Sequence, residues 1–75
     1  MMYNTDDVIF NKKEHSLSTK DGEYYSKMDS SHYSYWYDKG GILMGSWSYD
    51  YFFVPNEEYI ESAVELLNKL IKKYE

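Results

Sequence analysis

Two hydrophobic rhythms divide this chain. Up to Val54 apolar and polar residues alternate, as in half-buried strands, and after Pro55 the spacing becomes helical. Turn signals break the first part every eight to twelve residues, the pattern of an antiparallel meander. Val8-Ile9-Phe10 is a short apolar strand, and Asn11-Lys12-Lys13-Glu14 is a polar turn. His15 to Lys20 alternates around Leu17. Asp21-Gly22 predicts a tight type I′ hairpin, because both residues tolerate a positive φ. Glu23 to Met28 follows as a strand, and Asp29-Ser30 reads as a second tight turn or as a bulge within one long strand. Ser31 to Asp38 is a strand, Lys39-Gly40-Gly41 a further hairpin turn, and Ile42 to Val54 a long strand that bends near Asp50.

Beyond Pro55, Asn56 suits an N-cap. Ile60, Ala63, Val64, Leu67, Leu70, Ile71 and Tyr74 then fall on one stripe of an amphipathic helix. Glu57, Glu58, Glu61 and Glu65 occupy its N-terminal half, and Lys69, Lys72 and Lys73 its C-terminal half, an order that complements the helix dipole. The reading is an α+β fold in one domain, residues 1–75. An antiparallel β-meander of three to five strands lies within 7–54, and a C-terminal amphipathic helix over about 56–74 packs on one face. No linker, internal repeat or low-complexity tract interrupts it.

Alternation also sorts the strand residues by face. Trp36, Leu43, Trp47 and Phe53, joined by Leu17 and Phe10, are expected beneath the helix. Gly45 leaves room on that side for an indole or for close approach of the helix. The face turned away then holds Tyr33, Tyr35, Tyr37, Met44, Ser46 and Ser48. This assignment depends on the register of the Lys39–Gly41 turn, since a slip of one residue exchanges the faces.

Composition sharpens the question of what that second face is for. Ten of the 75 residues are tyrosine, and Tyr24 to Tyr51 mixes most of them with serine, glycine and both tryptophans. Large, stiff, amphipathic rings beside small adaptable side chains suit a recognition surface. The plain alternative is that Tyr33, Tyr35 and Tyr37 only stabilise the sheet by cross-strand pairing.

Charge and residue chemistry exclude much else. Net charge is −5, and all eight basic residues are lysine. A nucleic-acid binder shows a basic stripe, and arginine reads guanine and phosphate through its bidentate fork. This chain has neither, so direct nucleic-acid binding is not expected. With no cysteine there is no disulfide and no zinc–thiolate site. His15 and His32 lie on separate strands, without a clamp beside them for acid–base work or a third converging ligand for a metal. Gly40-Gly41 leads into a strand rather than a helix N-terminus and does not cradle phosphate. Ser46 and Ser48 have no nucleophile elbow. The reading is therefore a non-enzyme without catalytic, metal or cofactor-binding residues. The N-terminal residues show no signal-peptide pattern, and the longest apolar runs are far too short to span a bilayer, so a cytoplasmic location without membrane association is expected.

What remains is a small acidic interaction module, expected to bind and inhibit a larger protein through that partner's basic or nucleic-acid-binding surface. The expected contact residues are Tyr33, Tyr35, Tyr37 and Met44, with Asp38 and Asp50 at the rim. Small acidic proteins of phages and mobile elements, among them anti-CRISPR and anti-restriction proteins that mimic nucleic-acid charge, work in this way. The likeness is one of type alone, without a shared family motif. Two other uses compete: stacking of a sugar or nucleobase on the aromatic platform, and a homodimer or larger homo-oligomer built through the tyrosine face.

Overall fold

The computed structural model describes residues 2–14, 16–28, 33–48 and 57–75. A 3-10 turn, Thr5–Asp7, precedes β1 (Val8–Asn11), β2 (Ser16–Thr19), β3 (Tyr24–Met28), β4 (Tyr33–Asp38) and β5 (Leu43–Ser48), and α1 (Glu57–Tyr74) follows. The strands lie side by side in chain order, each antiparallel to the next. The protein is α+β, a five-stranded meander with one C-terminal helix packed on one face. Asn56, Phe53, Asp50, both histidines and the Asp29-Ser30 position lie outside the described residues.

The helical stripe is the core. Ala63, Val64, Leu67, Leu70 and Ile71 are buried, with Ile60 half-buried beside them. Opposite them the sheet supplies Leu17, Trp36 and Trp47, flanked by Val8 and Phe10. Both indoles carry a donor that burial obliges to find a partner. Trp36 Nε1 donates to the carbonyl of Ala63 at 3.0 Å, which ties the sheet to the helix. Trp47 Nε1 reaches Ser26 Oγ at 3.5 Å. Tyr74, the expected last member of the stripe, instead emerges from the core at 62% exposure, its hydroxyl 3.3 Å from the Met44 carbonyl.

The turns explain how these faces are set. At Lys39–Gly41 the Asp38 carboxylate accepts from the amides of Gly40 and Ile42, both at 2.9 Å, and Gly41 takes φ 82°. Such a three-residue loop suits a glycine in the left-handed region. Between β2 and β3, Gly22 stands at φ 77°, as expected, but the connection is not a two-residue type I′ loop. Four residues, 20–23, link the strands, because Gly22 N closes on the Thr19 carbonyl at 3.0 Å. Asp21 Oδ1 meanwhile accepts from Thr19 Oγ1 at 2.7 Å and Glu23 N at 3.0 Å.

The register of β4 and β5 corrects one part of the core. Tyr37 lies opposite Leu43, yet Trp36 lies opposite Gly45, so a β-bulge inserts Met44 as an extra residue. Across a bulge the alternation changes phase. Leu43, expected under the helix, therefore stands on the outer face at 54% exposure. Met44, expected with the tyrosines, packs against the core. Gly45, in regular register with Trp47, keeps its expected place on the helix side, where Leu70 leaves no room for a Cβ.

A long-range clasp completes the frame. Tyr3 is buried although it stands near the chain start. Its amide donates to Asn68 Oδ1 at 2.8 Å, and Asn68 Nδ2 donates back to its carbonyl at 2.9 Å. Its ring meets Tyr24 edge to face, with centroids 5.9 Å apart.

Candidate protein-binding face

In β4, Ser34 and Trp36 are fully buried under the helix, so the alternate residues Tyr33, Tyr35 and Tyr37 point to the other side of the sheet. Tyr33 is 47% exposed, and Tyr35 and Tyr37 are half-buried. The three share one row, as alternation predicts. The cross-strand register fills in the surroundings. Tyr37 faces Tyr25 on β3, Tyr35 faces Lys27 on β3 and Ser46 on β5, and Tyr33 faces Ser48. Ser18 stands opposite Tyr25, and Ile9 opposite Ser18. The result is an open face of tyrosine and serine with Ile9 and Leu43 exposed upon it.

Tyr25 and Tyr37 stack with ring centroids 5.3 Å apart and planes 18° from parallel. Pairs of this kind add about 0.5–1.5 kcal/mol beyond the area they bury. Part of the tyrosine row therefore supports the sheet, and the stack also holds two rings in a fixed pose. Rings already held lose little side-chain entropy when a partner covers them.

The other expected contact residues fare differently. Met44 belongs to the helix side. Asp38 holds the β4–β5 turn through its two amide contacts, so its carboxylate has a structural duty beyond any at a rim. Asp50 is not among the described residues. Tyr25 and Leu43 join the face instead. Tyr25 could have been placed from the sequence, since the Asp21-Gly22 signal puts it opposite Ser18, which alternates with the core residue Leu17. Leu43 carried no such signal, because its face depends on the bulge.

On the described part of this face Lys27 is the single charged side chain. Carboxylates gather at the end of the sheet where the two turns meet. There Tyr3 donates from its hydroxyl to Asp21 Oδ2 at 2.5 Å. This contact, with the Thr19 hydroxyl and the Glu23 amide, holds the Asp21 carboxyl below its ordinary range. Burial, and then Asp21 itself, push the Tyr3 phenol well above its own. A neutral tyrosine donating to an ionised carboxylate is a structural clasp, and neither group is set for proton transfer near neutral pH. Among the described residues no three histidine or carboxylate side chains converge as a metal site would require. No helix among them is long and apolar enough to cross a membrane.

Compared with known proteins, the chain matches no family model, no curated protein and no solved structure.

Proposed function

We propose that this protein is a small acidic interaction module that docks its open tyrosine face on a larger protein and inhibits it. The partner carries a basic or nucleic-acid-binding surface, as do the targets of anti-CRISPR and anti-restriction proteins from phages and mobile elements. The observation behind the reading is the row Tyr33, Tyr35 and Tyr37, with Tyr25 stacked beside it, on the sheet face that the helix leaves open. Exposed aromatic patches of this kind are typical of contact surfaces. Tyrosine is also among the residues that dominate binding energy. The net charge of −5 supports a basic partner by steering its approach, whereas the near-neutral centre of the face avoids burying unpaired charge.

The test begins with affinity capture of the partner at low and high salt, followed by calorimetric measurement of Kd. Tyr35→Ala and Tyr33→Ala should each weaken binding by about 2 kcal/mol or more, the range of interface hot spots. Their melting temperatures should change little, since a cross-strand pair contributes only about 0.2–1 kcal/mol. Tyr37→Ala is a poorer probe because it also breaks the Tyr25 stack. Wild-type affinity in both variants would overturn the reading. Light scattering on the free protein separates partner binding from self-association through the same face.

A further inference from the structure

On the helix side of the sheet, away from the tyrosine row, a cleft of about 410 Å³ opens between the end of α1 and the β2–β3 turn. Rings of Tyr3, Tyr24 and Tyr74 line it, together with Met44 and the carboxylates of Asp21 and Glu23. Aromatic faces beside carboxylates attract a cation in two ways. The ring quadrupole draws positive charge to its face, and the carboxylate neutralises it.

We infer that this cleft receives the cationic end of a basic side chain, arginine or lysine, from a partner protein. The chain's own cations already mark both kinds of contact at its borders. Lys73 Nζ sits 5.7 Å from the centre of the Tyr74 ring. Lys39 Nζ lies 3.6 Å from Glu23 Oε1, as a solvent-exposed pair. Exposed pairs of this type hold weakly and exchange readily for a better-placed cation. Asp21 meanwhile is anchored by Tyr3 and Thr19, so its charge is fixed in place before any ligand arrives. The cleft contains the edge-to-face Tyr3–Tyr24 pair and the exposed Tyr74 ring, so a planar guanidinium or a compact ammonium finds apolar walls as well as charge.

This inference builds on the proposed basic partner, but its test needs no partner, so the cleft can fail while the tyrosine face stands, and the reverse. The probe is Nα-acetyl-arginine amide, with its uncharged citrulline counterpart as control, titrated into isotope-labelled protein at low salt. Amide resonances of Tyr24, Met44 and Tyr74 should shift saturably with the arginine probe. The citrulline probe should bind about fivefold or more weakly, the loss expected when a cation–π contact and an exposed ion pair disappear. Glu23→Gln should weaken the arginine probe, and Lys39→Met, which removes the competing ammonium, should tighten it. Equal binding of the two probes, or no saturable shift at these amides with probe in the tens of millimolar, would overturn the assignment. Neither variant touches the core, so both should fold as the wild type does.

Discussion

Gly45 offers the sharpest test of how the helix sits on the sheet. A Cβ built at this position would lie 2.7 Å from Leu70 Cδ2, 3.0 Å from Cδ1 and 3.4 Å from Cγ. Carbon atoms in good contact stand about 3.5–4.0 Å apart, so Gly45→Ala forces roughly an ångström of movement. Leu70 is buried and cannot swing into solvent. The helix cannot simply lift either, because the Trp36 indole holds Ala63 O at 3.0 Å directly across the strand pair. Overpacking of this kind costs about 1–3 kcal/mol. Replacing glycine recovers about 0.4–1 kcal/mol by restricting the unfolded chain. The net loss should be about 1–2 kcal/mol, a fall in Tm of roughly 4–16 °C for a domain of this size. Thermal melts of four proteins form the assay: wild type, Gly45→Ala, Leu70→Val and the double variant. Shortening Leu70 makes room, so the alanine should cost much less in the Leu70→Val background, and the cycle should show clear coupling. A Gly45→Ala protein that melts at or above wild type, or equal costs in both backgrounds, would refute the close approach as the reason for glycine here.

Gly22→Val should destabilise by about 1–3 kcal/mol in a urea melt, because φ 77° is strained for a β-branched residue. No atom lies within 4 Å of the added Cβ, so the cost is in the backbone alone and Gly22→Asn should recover most of it. The Tyr3–Asp21 clasp predicts a pH dependence with two limbs. The folded carboxyl of Asp21 titrates below its ordinary 3.8, so its contribution is present above that pH and is lost as pH falls through the folded value. The folded phenol of Tyr3 titrates above its ordinary 10.0, so its contribution is present below pH 10.0 and is lost as pH rises past it. Urea midpoints of wild type and Tyr3→Phe should therefore differ most between these limits and converge on either side, and a constant difference across pH would exclude the clasp as a source of stability.

The local elements were legible because each is written in a repeating pattern. The stripe through Ala63, Val64, Leu67, Leu70 and Ile71 can bury itself only as a helix, and α1 does so. The alternation through Tyr33, Tyr35 and Tyr37 puts all three on one side of β4 whatever the rest of the sheet does. Gly22 and Gly41 mark turns because a positive φ is cheap for glycine. Which face met the helix was a different matter. Trp36, Leu17 and Trp47 were separable from the tyrosines by parity, but Leu43 and Met44 exchanged sides at a bulge that no local pattern encodes. The bulge sets Met44 beside Gly45 on the helix side and turns Leu43 outward, while Gly45 keeps the place that parity with Trp47 gives it. The contacts of Tyr3 with Asn68 and Asp21 were equally hidden, because they span 65 and 18 residues. Sequence alone thus determined the described strands and helix, the positive φ of Gly22 and the tyrosine row, through periodicity and backbone preference, whereas the length of the β2–β3 loop escaped it. Tertiary structure decided the sides of Leu43 and Met44, the clasp of Tyr3 on Asp21 and Asn68, and the aromatic cleft, because each depends on groups distant in the chain.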